Sequence, residues 1–360
     1  MRSYLDHNAT SPLRPSVKAA MIAAMEHGGN ASSVHAEGRA ARRMMDDARE
    51  KLGSTLSCLP QMITFTSSGT EANNMAVRGV AVERILISAV EHPSVSAAAK
   101  ASGKLVEVIP VDALGRVDLG ALEKMLVGPK ALVSVMFANN ETGVVQPVRD
   151  VVSLAAKAGA FSHVDVVQAF GKLPVNFGLI GADMMSVAAH KVGGPVGIGA
   201  LIIRDGLVVD PLLVGGGQEL RRRAGTENIV NIVGFAAVAM EPMLDLSVLK
   251  NMVEAVLDGA VIFGAGAERL SNTSYFASQG LSAESLLMNF DLEGIAVSSG
   301  SACSSGKVTK SQALSAMGVA PELASGAIRL SLGWNSTEKD VEHFIAVWRK
   351  LNARRRAKAA

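Results

Sequence analysis

Short apolar runs alternate with helical stretches through the first two thirds of the chain, and no other feature limits the possible fold as much. Residues 62–66 read as a strand, after which Ser67-Ser68-Gly69-Thr70 turns into a helical stretch starting at Glu71. Residues 84–88, 105–109 and 131–137 read as further buried strands, and 161–167, 183–187 and 198–203 complete the set. Between them, Ala41, Met44, Met45, Ala48 and Leu52 recur at helical spacing on one face. The alternation predicts an α/β fold with a mostly parallel sheet sandwiched by helices. Ligands of such folds sit beyond the carboxyl ends of the strands. After about Asp245 the pattern changes: 247–257 and 282–290 read helical, 328–332 reads as a strand, and a last helix spans about 339–351. This part predicts a smaller α+β domain.

Composition narrows the partners. The 360 residues include 35 basic and 33 acidic ones, a balance with no electrostatic footprint for a nucleic acid. Apolar residues at 49% against 19% charged exclude global disorder. Two cysteines, Cys58 and Cys303, cannot build a disulfide framework and fit a reducing compartment. No secretory leader precedes Asp6, and no apolar run approaches the roughly 18 residues of a membrane span, so a soluble cytoplasmic protein is expected. The basic tail Arg354-Arg355-Arg356-Ala357-Lys358 reads as a solvated helix end. No Cys/His ligand set is present, so no metal site is expected.

Several residues could carry chemistry. Lys191 stands in Ala188-Ala189-His190-Lys191-Val192 between two apolar strands, where a desolvated amine can form a Schiff base, although a solvated turn lysine is the alternative. Asp165 interrupts an apolar strand near its carboxyl end, which suits a carboxylate facing a cation such as a protonated pyridine, or a strand-end cap. Ser67-Ser68-Gly69-Thr70-Glu71 lies between strand and helix, where backbone N–H groups can approach a phosphate, or where an ordinary capped turn would sit. His92, in Glu91-His92-Pro93-Ser94, could stack on a flat cofactor and shuttle protons, or be a plain loop histidine. Arg329, in an alternating strand, could hold a carboxylate bidentately or simply face solvent. Cys303 lies in Ser298-Ser299-Gly300-Ser301-Ala302-Cys303-Ser304-Ser305-Gly306; seven Ser or Gly among nine residues predict a mobile, exposed loop and a reactive thiol. Cys58, between Leu56 and Leu59, reads as a packing residue.

In this order the segments resemble the cysteine desulfurases, the NifS/IscS-like branch of the class V, fold-type I pyridoxal-phosphate enzymes. The resemblance runs from Tyr4-Leu5-Asp6-His7-Asn8-Ala9-Thr10 to Ile328-Arg329-Leu330-Ser331-Leu332-Gly333. It takes in Asn139-Asn140-Glu141-Thr142-Gly143, Gly215-Gly216-Gly217-Gln218-Glu219 and Arg223-Ala224-Gly225-Thr226-Glu227-Asn228. It implies a large domain over 15–245 that binds pyridoxal 5'-phosphate, and a small domain made of 1–14 and 246–360 that carries the cysteine loop. Lys191 would hold the cofactor, Asp165 would pair the pyridine nitrogen and Gln168 the phenolic oxygen, and His92 would stack on the ring. Gly69, Thr70 and His190 would contact the phosphate, with Thr226 reaching it from the other subunit of a homodimer. Asn140 and Arg329 would bind the substrate carboxylate, and Cys303 would take the sulfur of L-cysteine as a persulfide for a scaffold or carrier protein in iron–sulfur cluster or thio-cofactor assembly.

One departure stands in the phosphate site. The family pattern Ser-x-His-Lys is here Ala188-Ala189-His190-Lys191, which removes a hydrogen bond to a charged oxygen worth about 1.5–3 kcal/mol. Two other functions are compatible with these residues: a selenocysteine lyase or another class V enzyme, and a non-catalytic scaffold. Cys303 in its Ser/Gly loop argues against a plain aminotransferase, which needs no thiol.

Overall fold

A computed structural model describes residues 2–243, 245–299 and 310–359. In chain order its strands are β1 (Ser3–Tyr4), β2 (Ile63–Thr66), β3 (Arg84–Ser88), β4 (Leu105–Ile109), β5 (Ala131–Met136) and β6 (Phe161–Asp165). They continue with β7 (Met184–Ala188), β8 (Gly199–Ile203), β9 (Ala260–Ile262), β10 (Thr273–Ser278), β11 (Ile295–Ala296) and β12 (Ile328–Ser331). Seven form one sheet in the order β2-β8-β7-β6-β5-β3-β4. Strands β4, β3, β5, β6 and β7 pair parallel, whereas β8 runs antiparallel to both β7 and β2. That double reversal turns β2 back to the direction of the parallel strands, so its carboxyl end opens on the same edge as theirs.

Alternation along each strand fills both faces of the sheet. Val133, Val164, Met185 and Ile202 pack with Ala41, Met45 and Leu52 of helix Ala36–Leu56 and with helix Ile229–Ala239 on one side. Leu132, Met184, Leu201 and Ile203 pack with Ala72 and Met75 of helix Gly69–Gly79 and Val95 of helix Pro93–Lys100 on the other. Strands β5, β7 and β8 are buried throughout, as the apolar runs predict. β4 is not: Leu105 is 64% and Val108 55% exposed. It lies at the sheet edge, where one side has no neighbouring strand, and an apolar run alone does not reveal that. Helix Gly69–Gly79 starts two residues earlier than expected, because the Ser68 hydroxyl caps it by accepting from the Glu71 N–H at 3.1 Å.

The remaining strands form an antiparallel sheet, β12-β10-β9, and a parallel pair, β1-β11. Leu5, Phe276, Phe290 and Leu330 form a second core with Phe344 and Trp348 of helix Glu338–Ala359. Sequence pattern does not disclose β10: Thr273-Ser274-Tyr275-Phe276-Ala277-Ser278 is buried throughout yet half polar. Leu5 anchors the amino-terminal segment in this second core, the His7 N–H donates to the Ser331 carbonyl at 3.1 Å, and the Ser11 N–H reaches the His190 carbonyl at 2.8 Å. Residues 5–11 therefore cross from the small sheets to the carboxyl edge of the large one. No helix among the described residues is long and apolar enough to cross a membrane.

Candidate active site

The sheet register places the chemistry. Met136 of β5 lies opposite Asp165 of β6, and Asp165 opposite Ser186 of β7, so the carboxyl ends of the central strands are level. Ala188 pairs with Gly199 and Gly199 with Thr66, which brings the turn after β2 to the same edge. Gly199 must lack a side chain, since a Cβ there would stand 2.6 Å from the Ser68 carbonyl carbon and 2.8 Å from the Gly69 nitrogen. The first turn of helix Gly69–Gly79 thus presents the Gly69 and Thr70 amides at the mouth of the sheet.

Asp165 ends β6 with both oxygens engaged. Oδ1 accepts the Val167 N–H at 2.9 Å, and Oδ2 accepts from Asn73 Nδ2 at 2.8 Å. Lys191 lies three residues past β7, and its Nζ donates to the carbonyls of Asn8 and Ala9, both at 2.7 Å. The Asn8 carbonyl also accepts from Gln168 Nε2 at 3.0 Å. A second lysine completes the cluster: Lys172 Nζ donates to Gln168 Oε1 at 2.8 Å and to Asn8 Oδ1 at 2.9 Å. On the far side Arg329 Nη1 donates to the Asn140 carbonyl at 2.9 Å and Nη2 to Asp6 Oδ1 at 2.7 Å. Arg329 is buried, so the solvent-facing alternative does not hold.

One cavity of about 380 Å³ gathers Gly69, Thr70, His92, Asn140, Asp165, Gln168, His190, Lys191 and Arg329 on its wall, together with Asn8, Asn73 and Ala188. Nine residues singled out in the sequence therefore converge. Thr226 does not join them; it lines a separate hollow with Ser67, Glu219 and Arg223. Cys303 lies outside the described residues. Among the polar cavity residues Asn8, Asn73 and Ser94 carried no role in the sequence reading, and neither did the neighbouring Lys172. For Lys172 a trace existed in its spacing of four from Gln168.

Burial governs the ionisation here. It lowers His190 to about 4, with Lys191 and Lys172 adding to the effect. His92 is lowered as well, by burial first; Asp165 opposes the shift and Lys191 reinforces it. Lys172 falls well below the ordinary lysine value through burial of its amine and the nearby Lys191 and Arg329. Glu91 is pushed well above the usual carboxylate range by burial and by Asp165. The cavity therefore sets Lys191 and Arg329 against Asp165, with Asp6 behind the arginine, Lys172 behind Gln168 and neutral imidazoles between.

The chain belongs to the class-V aminotransferase family, whose model matches residues 3–344. It is accordingly an enzyme dependent on pyridoxal 5'-phosphate. Among its relatives is the cysteine desulfurase IscS of Dictyoglomus turgidum, 39% identical over 97% of this chain and 94% of the relative. An IscS-like cysteine desulfurase of Mycobacterium tuberculosis is 40% identical over 99% of this chain and 98% of its own length. The solved structure of a NifS-like protein from Rickettsia africae superposes with a TM-score of 0.89 at 34% identity, covering 98% of this chain and all of that one.

The cavity's donor set fits that cofactor. A primary amine, a buried carboxylate whose two oxygens are held from behind, and the amino-terminal turn of an eleven-residue helix face one space, matching an aldehyde, a pyridinium and a phosphate.

Proposed function

We propose that this protein is a cysteine desulfurase. It converts L-cysteine to L-alanine and holds the sulfur as a persulfide on Cys303 for an acceptor protein in iron–sulfur cluster or thio-cofactor assembly. The observation that carries the reading is the convergence of Lys191, Asp165, His92, Arg329 and the Gly69–Thr70 turn on one cavity. The relatives named as cysteine desulfurases, matched over nearly their whole length, support the same activity.

In this reading Lys191 would hold the cofactor, Asp165 would pair its ring nitrogen, Gln168 its phenolic oxygen and His92 its ring, while Gly69, Thr70 and His190 would take the phosphate. When bound, pyridoxal phosphate supplies an electron sink for charge developing at the substrate Cα. The chain does the rest. Arg329 and Asn140 fix the substrate carboxylate, the guanidinium already being held by the Asn140 carbonyl and Asp6. Nζ of Lys191, gripped by two backbone carbonyls, is placed to remove and return a proton. Of the two cysteines, Cys58 is partly buried and its thiol is pushed up to about 12, which leaves Cys303 as the nucleophile. Its thiolate would attack the substrate sulfur, forming the S–S bond as the Cβ–S bond breaks; the electron pair stays on the carbon side, which gains a proton to become the methyl group of alanine.

We further place the cofactor-binding domain at 15–245 and a small domain at 1–14 and 246–360. A cytoplasmic homodimer completes the picture, with Thr226, remote from its own cavity, serving the partner's phosphate site. The decisive experiment is mass spectrometry of the holoenzyme after exposure to L-cysteine. Addition of about 32 Da at Cys303 is expected, with sulfide release lost in Cys303→Ala and kept in Cys58→Ala. A Cys303→Ala protein that released sulfide at the wild-type rate would refute the reading.

A further inference from the structure

His92 is the amino-terminal cap of helix Pro93–Lys100, and the bond that makes it so determines which ring nitrogen carries the proton. Nδ1 accepts the Ser94 backbone N–H at 3.1 Å and lies 2.7 Å from Ser94 Oγ. An amide N–H can only donate, so Nδ1 presents a lone pair, and the neutral ring must hold its proton on Nε2. Asn73 secures the hydroxyl in turn. Its Nδ2 donates to Ser94 Oγ and to Asp165 Oδ2, both at 2.8 Å, which spends both amide hydrogens. Its Oδ1 is buried without a hydrogen-bond partner among the described residues. Turning the amide over would set that oxygen against the Asp165 carboxylate. With Asn73 donating to Ser94 Oγ, the serine proton is directed at Nδ1. One chain of bonds thus runs from His92 through Ser94 and Asn73 to Asp165.

We propose that Asn73 and Ser94 are positioning residues that hold His92 as the neutral tautomer protonated at Nε2, so that it enters the reaction as a hydrogen-bond donor and not as a base at Nδ1. A second proton would have to enter at Nδ1, against the Ser94 N–H, and would uncap the helix. Of the charged groups facing the ring, Asp165 on β6 favours that proton and Lys191 beyond β7 opposes it, while burial, the largest influence, opposes it too. The tautomer rests on bonds within this chain alone; its part in desulfuration rests on the function proposed above.

The test is a two-bond nitrogen–proton correlation spectrum of holoenzyme labelled with ¹⁵N-histidine, with His92 assigned by its loss in His92→Asn. A single Nε2–H tautomer is expected at neutral pH, titrating below the ordinary value of 6.5. Ser94→Ala removes the hydroxyl, and Ser94→Pro removes hydroxyl and N–H together within the first helical turn, where no backbone N–H has an intrahelical partner. The titration midpoint should rise towards 6.5 in the first variant and further in the second, where the tautomers should mix; Ser94→Thr should restore the wild-type spectrum. Asn73→Ala should shift the midpoint in the same direction as Ser94→Ala. A wild-type ring protonated at Nδ1 overturns the proposal without any variant having to fold, and so does an unchanged tautomer and midpoint in Ser94→Pro. Failure of the persulfide experiment with the tautomer intact would sink the proposed activity and leave this assignment standing.

Discussion

Ala188 turns its methyl towards the phosphate turn: a Cβ built on Gly69 would lie 3.4 Å from the Ala188 Cβ. A serine hydroxyl carried on that carbon would reach towards the Gly69 turn. One more hydrogen bond to a charged oxygen contributes about 1.5–3 kcal/mol. Ala188→Ser is therefore expected to bind pyridoxal phosphate about 10- to 150-fold more tightly, read from the cofactor concentration that restores half the absorbance to stripped protein. Unchanged affinity would place the phosphate elsewhere in the cavity. Single residues differ in how openly the sequence displays them. Lys191 is visible because lysine rarely follows a buried strand without a reason, and Asp165 because it interrupts one. In sequence His92 reads as a stacking or loop histidine and its capping role is passed over, although proline at the first helical position marks a helix start there. Asn8 is not visible, because its carbonyl meets Lys191 across a separation of 183 residues that only the fold closes.

The 215–227 segment is held by one buried ion pair more than by regular structure. Glu219, Leu220 and Arg221 all have left-handed φ values, of 48, 57 and 65°, which are costly for residues with side chains. Arg49, in helix Ala36–Leu56, offsets that cost. Its guanidinium grips both Glu219 oxygens at 3.0 Å and donates to the Ile63 carbonyl, while Glu219 accepts the Phe65 N–H at 2.9 Å. Arg49→Ala leaves a buried carboxylate without its cation and should cost about 3–5 kcal/mol in urea unfolding. A loss below about 1 kcal/mol would show that water reaches Glu219 in the variant. Sequence displays elements unevenly for a related reason. The apolar runs of β5, β7 and β8 mark strands buried on both faces, but an equal run in β4 does not say that it ends the sheet. β10 hides because its buried serines break the apolar pattern.

Across the whole molecule the parallel sheet and the edge that carries the chemistry were legible, because both follow from alternation and the direction of the strands. The path of residues 5–11 was not, since no local pattern says which strands an amino-terminal segment will join. The sheet also sets how the protein responds to acid. His163 of β6 lies in its interior, bonded to Ser134 on β5 and Ser186 on β7 at 2.8 Å each, and burial lowers it to about 4. Between that value and the ordinary 6.5 the unfolded chain binds a proton there and the folded chain does not. This imidazole therefore costs nothing above about pH 6.5 and subtracts up to about 1.4 kcal/mol of stability per pH unit as pH falls towards 4. Glu91 has the opposite sign, because its raised folded value lets the folded protein keep a proton that the unfolded one releases. Other groups, Glu91 included, are common to the wild type and His163→Gln, so the difference between the two proteins isolates one histidine. The variant loses stability at pH 7 if glutamine bridges the two serines less well, but its deficit should shrink by about 1.4 kcal/mol per pH unit on acidification. Urea midpoints measured from pH 7 to about 4.5 read this directly. Parallel curves for the two proteins would mean that His163 takes up its proton inside the folded sheet.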